Sequence, residues 1–120
     1  MAIVVAVTDS PEGTHALKAA VAQAVKFDTN LVAVNLKLGP LDISGIPADV
    51  KTTIVERTPS LSAAESVLAA LERQDDTIEL LVIGVMRRSP IGKAVLGSVS
   101  QQLILNADVP VLAIKLPTEK

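Results

Sequence analysis

Cysteine, tryptophan and tyrosine are absent, and Phe27 is the single aromatic side chain in 120 residues. Without cysteine there are no disulfides, no thiolate chemistry and no Cys-ligated metals, a composition that fits a reducing compartment. A lone aromatic ring makes no stacking platform of the kind that sequence-tolerant single-strand binding uses. One histidine, His15, offers no second imidazole for a metal pair. The formal net charge is −2, so no basic excess recruits nucleic acid or an anionic membrane. The opening stretch MAIVVAVTDS carries no basic leader, and its apolar run is too short for a signal segment or a membrane span. A cytoplasmic location is therefore expected, with neither nucleic acid nor membrane as a partner.

What is present is aliphatic. Hydrophobic residues make up 49% and charged residues 20% of the chain, which suits one globular domain over residues 1–120 with a core of Val, Leu, Ile and Ala. Ile3 to Val7 is a continuous apolar, β-branched run, as in a strand covered on both faces. In TDSPEG, Ser10 can cap a helix with Pro11 at its first position and Glu12 near its positive end. Leu17, Ala20, Val21, Ala24 and Val25 then supply one apolar stripe, and FDTN ends the helix.

Leu31–Leu36 reads as a second buried strand, followed by KLGPLDISGIPADV, a Gly- and Pro-rich loop with room for one short helical turn. A third strand is expected at Thr53–Glu56, and Ser62 with Glu65 has capping-box spacing ahead of a helix striped by Ala64, Val67, Leu68 and Leu71. Ile78–Val85 is the fourth strand. A helix begins around Ser98, a reasonable N-cap, with Val99 and Leu103 on one side. Val109 to Leu116 is the fifth strand, with Pro110 tolerated only near its start or on a free edge. Asp75-Asp76 reads as a solvated turn. Strand–helix alternation with strands buried on both faces predicts an α/β fold built on an open parallel sheet.

Ligands of such sheets collect at the carboxyl ends of the strands, where strand order reverses. Two strand-to-helix connections are chemically dressed for this, VTDSPEG and GVMRRSPIGKAVLGSVS. The second matches neither common phosphate loop. Gly92-Lys93 is followed by Ala94 and Arg87 holds the place of the first Walker glycine, while the Rossmann G-x-G-x-x-G does not occur.

A different pattern fits. Gly84 opens, and Gly97-Ser98 closes after nine residues beyond Arg87, a sequence similar to the nucleotide signature G-x2-G-x9-G-[ST]. With the acidic, hydroxyl-bearing turn TDSPEG and the closing segment GSVSQQLILNADVPVLAIK, nearly the whole chain resembles the universal stress protein family. The resemblance implies an open five-stranded parallel sheet of order 3-2-1-4-5, doubly wound with helices on both faces, of the adenine nucleotide alpha hydrolase-like kind. It also implies a homodimer through the last strand, here Val109, Val111, Leu112, Ala113 and Ile114. In the ATP-binding branch, position-by-position carry-over puts Thr8 and Asp9 beside the base or ribose, with either one at the acidic position, and Leu36 beside the adenine. Ile83 and Gly84 would line the floor, and Gly97, Ser98 and Val99 would offer donors to phosphate. The implied ligand is ATP or another adenine nucleotide, with Mg2+ possible alongside it.

Two departures stand out. Arg87 occupies the second signature glycine, where its backbone cannot approach a phosphate as closely or adopt positive φ cheaply. The connection between strands two and three is short for the family, so much of its helix is expected to be missing and the adenine side of the pocket more open. Against the first departure, Arg87, Arg88 and Lys93 put three cations on one loop that also carries Gly92, and these can grip phosphate oxygens. The same residues also fit a bland reading, in which the glycines serve turns and helix–strand packing, the cations are solvated, and Asp9 is only a helix cap. The sequence leaves both open, and with them a nucleotide-free dimerisation or interaction module. It assigns no catalytic or metal-binding residue, so any ATP hydrolysis is expected to be slow.

Overall fold

A computed structural model describes residues 1–87 and 94–116. The element order is β1 (Ala2–Val7), α1 (Pro11–Phe27), β2 (Asn30–Asn35), β3 (Thr52–Glu56), α2 (Ala63–Arg73), β4 (Ile78–Arg87), β5 (Ala94–Val95), α3 (Ser98–Asn106) and β6 (Val111–Lys115). Five parallel strands run in the order β3-β2-β1-β4-β6, the 3-2-1-4-5 order expected, with β5 paired antiparallel to the end of β4.

The sheet separates two apolar layers because successive strand side chains point to opposite faces. Val4, Ala6, Val32, Val34, Leu81 and Ile83 meet α2 and Leu103 of α3. Ile3, Val5, Val7, Leu31, Ala33 and Val82 meet α1. Helices thus cover both faces, and β1 is buried along its whole length.

Each helix is set by local chemistry. Ser10 caps α1 by accepting from the Gly13 amide, with Pro11 at the first position. The helix closes on Asp28, whose amide donates to Val25 O at 3.4 Å and whose left-handed φ of 53° turns the chain so that Thr29 N–H reaches Ala24 O at 3.0 Å. The buried stripe of α1 is Gly13, Ala16, Ala20 and Ala24, whereas Val25 is 55% exposed. The expected stripe was therefore rotated: small side chains let the helix lie close on the sheet, and the larger Leu17 and Val21 fall to its flank.

At α2 the capping box forms as the spacing predicts, with Glu65 N–H donating to Ser62 Oγ and Ser62 N–H donating to Glu65 Oε1. That backbone donor, followed by the Ser62 hydroxyl, holds the Glu65 carboxyl below its ordinary value of 4.5. A depressed carboxyl pKa gives stability that is full above the unfolded value and disappears as pH falls through the folded one. Ser62→Ala should cost about 1 kcal/mol. In Glu65→Gln, urea-midpoint measurements from pH 3 to pH 6 should show a shallower rise of stability with pH than in the parent.

Four other expectations are corrected. β4 runs past Val85 to Arg87 because the returning β5 supplies partners, Met86 opposite Val95 and Arg87 opposite Ala94. The last strand starts at Val111, since Pro110 has no N–H to donate and instead accepts from the Leu81 amide at 2.9 Å. The N-cap of α3 is Gly97, not Ser98. Asp76 is tied, not merely solvated, accepting from the Met1 amine at 2.6 Å and from Asn30 Nδ2 at 3.3 Å.

The β2–β3 connection holds no helix at all, in line with its short length. It is an irregular segment stapled by Asn35, which is 2% exposed: its Nδ2 donates to Gly39 O and Glu56 Oε1, and its Oδ1 accepts from Lys37 N–H.

Candidate functional site

The chain builds β1, β2 and β3 outward to one side, then returns to lay β4 on the other side of β1. Strand order reverses between β1 and β4. The connection after β1 leads to α1 on one face and the connection after β4 leads to α3 on the other, which opens a crevice at the carboxyl ends of both strands.

Gly84 is the meeting point. A Cβ built there would overlap the Glu12 carbonyl oxygen and lie 2.6 Å from its carbon, so the first turn of α1 rests directly on β4. Gly13 repeats the device, because a Cβ there would overlap Thr8 O and lie 2.7 Å from Thr8 N. From the opposite face, Ser100 Oγ donates to Gly84 O at 3.3 Å, bringing the first turn of α3 to the same strand end.

Thr8 is half-buried and shares a 2.7 Å hydrogen bond with Ser10 Oγ, while Ser10 N–H donates to Thr8 O. Asp9 is exposed, and the cap of α1 is Ser10. Leu36 N–H donates to Val7 O at 2.9 Å, and the Leu36 and Ile83 side chains both belong to the core on the α2–α3 face. Gly97 and Ser98 are exposed at the start of α3, and Val99 is partly buried against the core. The structure thus gathers the β1–α1 turn, Gly84 and the start of α3 around one strand end. Arg87 ends β4, while Arg88, Gly92 and Lys93 lie outside the described residues.

The three helix starts differ. Those of α1 and α2 are capped by Ser10 and Ser62 hydroxyls. The start of α3 has glycine at the N-cap and, among the described residues, no side-chain hydrogen bond there and nothing within 4 Å of where a Gly97 Cβ would stand. Its leading amides have no partner within the helix and carry partial positive charge, the property that lets a helix start hold an anion.

Two features escaped sequence reasoning. Asn35 showed no local pattern, since its partners lie up to 21 residues away. A groove of about 580 Å³ lies elsewhere, between the flank of α1 and the helix-free connection, and none of the nucleotide candidates lines it. Its only herald was the shortness of that connection.

An open parallel α/β sheet thus places the β1–α1 turn and the start of α3 together where strand order reverses. The profile of the universal stress protein family matches residues 45–115. A universal stress protein of Mycolicibacterium smegmatis is 33% identical, covering 94% of this chain and 96% of that one. Among solved structures, a universal stress protein from Archaeoglobus fulgidus superposes with a TM-score of 0.67 at 20% identity, over 95% of this chain and 97% of that one. A family protein from Burkholderia pseudomallei gives 0.58 at 21% identity, over 98% and 96%. The chain belongs to the universal stress protein family.

Proposed function

We propose that this protein is a homodimeric stress-response regulator that binds ATP or a related adenine nucleotide in the crevice between β1 and β4. One observation carries the reading: α3 alone among the described helices starts without a side-chain cap, and it does so at the strand end where Gly84 collects α1 and α3. Amides of Gly97, Ser98 and Val99 would take the phosphates, and the β1–α1 turn at Thr8 and Asp9 would border the base or ribose. The segment joining β4 to α3 carries Arg87, Arg88 and Lys93, whose charge favours a polyphosphate. Mg2+, where present, would arrive with the triphosphate. The role is binding, with at most slow hydrolysis, since no described side chain is placed as a base for water. A cytoplasmic location follows the composition; among the described residues no helix is long and apolar enough to cross a membrane. The second copy would join along β6, which is hydrogen-bonded only to β4 among the described strands.

A second reading has its own support. Gly84 is required by packing under Glu12 whether or not a ligand binds, and Arg87 replaces the second signature glycine. A nucleotide-free dimerisation or interaction module would keep Gly84 for that reason alone.

Calorimetric titration of ATP, with and without Mg2+, separates the two. Saturable binding in the parent and a loss of about tenfold or more in Gly97→Val are expected, because a side chain there would crowd the amides without touching the fold. No heat at millimolar ATP would end the nucleotide reading. Unchanged affinity in Gly97→Val would move the phosphates elsewhere. Sedimentation of the same samples reads the dimer.

A further inference from the structure

We infer that the groove between α1 and the β2–β3 connection is a second binding site, for an aliphatic chain bearing one anionic head, such as a medium-chain carboxylate. The groove exists because a parallel crossover ordinarily places a helix on the sheet, and here residues 36–51 contain none. The flank of α1 that such a helix would cover stays open, and Leu17 and Val21 face Leu41 and Ile46 across a space of about 580 Å³. That size is within the range of small-molecule sites, about 300–1,000 Å³.

The lining decides the class. The apolar side chains are all aliphatic, so a flat aromatic ring would find no stacking partner; Phe27 lines a separate, smaller cavity. Two cations, Lys18 and Lys37, border the groove against one acid, Asp42. Neither lysine forms an ion pair with another described residue. Asp42 accepts from Ser44 N–H at 2.9 Å and also feels the Lys37 charge, which leaves one cation in excess at the groove. The Lys37 backbone is fixed beside the groove, its N–H donating to buried Asn35 Oδ1 at 3.0 Å. An aliphatic floor with a surplus ammonium group at its border complements an amphipathic anion.

The probe is dodecanoate, titrated into the full-length protein below its micellar range and followed by calorimetry, with dodecanol as the neutral control. One dodecanoate per chain should bind, with dodecanol weaker. Lys18→Glu with Lys37→Glu should weaken dodecanoate by about tenfold or more and leave dodecanol unchanged. Val21→Asp, checked for folding by circular dichroism, should weaken both. The inference is overturned by the absence of saturable dodecanoate binding, by retention of affinity in the double lysine variant, or by displacement of dodecanoate with ATP. The last result would merge the groove with the nucleotide crevice. The groove adjoins the nucleotide crevice, since Val7 and Lys37 neighbour Thr8 and Leu36 in the chain, but it shares none of the nucleotide candidates, and competition by ATP is the arm that tells the two apart.

Discussion

Gly84→Ala should destabilise the protein by more than about 3 kcal/mol or prevent folding altogether, with or without nucleotide. The cause is specific. The new methyl would meet backbone atoms, the carbonyl carbon and oxygen of Glu12, and not the movable end of a side chain. Relief requires lifting the first turn of α1, which would break the contact of Ser10, Gly13 and Thr8 that caps it. Gly13→Ala should behave in the same way, since its methyl would strike Thr8 backbone. Gly97→Val is the control. Its site is open and its φ of −73° suits any residue, so only the poorer N-cap should be felt, at about 1 kcal/mol or less. Urea denaturation of the three variants checks this. Equal, small losses in all three would show that α1 does not rest on β4 as described. The contrast also identifies Gly97, and not Gly84, as the clean probe of nucleotide binding, because a loss of binding in Gly84→Ala would be inseparable from a loss of fold.

Leu103→Ala should cost about 3 kcal/mol and lower Tm by roughly 10–20 °C. Leu103 is the single buried residue of the nine-residue α3, fully enclosed, so it is the main anchor of that helix on the sheet. Its neighbour Leu105 is 81% exposed, and Leu105→Ala should change stability by no more than about 0.5 kcal/mol. Thermal melts of the pair make the comparison. If both variants melt like the parent, α3 is held by something other than Leu103. Should ATP bind as proposed, Leu103→Ala ought also to weaken it, because the amides at the start of α3 would no longer be held against Gly84.

The capping of α1 and α2 was legible, whereas that of α3 fell one residue earlier than read. Ser10-Pro11-Glu12 and Ser62-x-x-Glu65 are short-range signals, and both formed where their spacing put them. Sheet order followed from the family resemblance, and continuous apolar runs indicated strands buried on both faces. The face of α1 was less legible. Hydrophobicity favoured Val25, but contact distance favoured Ala16, because a helix lying close to a sheet selects small residues at the contact. Only the third dimension settles such a competition.

At the candidate site the split is the same. The spacing singled out glycines at positions 84 and 97 alike, but not that only the first is required by packing. One lies beneath a neighbouring helix and the other faces open space, a distinction made by Glu12, which is 72 residues away in sequence from Gly84.

By itself the sequence determined the strands and helices, the caps of α1 and α2 and the family, because these depend on residues near one another or on pattern. The tertiary structure alone decided which face α1 buries, that Asn35 ties the β2–β3 connection to β3, and that a missing crossover helix leaves an aliphatic groove. Those outcomes depend on which surfaces meet, and contact between distant residues leaves no periodic trace in the chain.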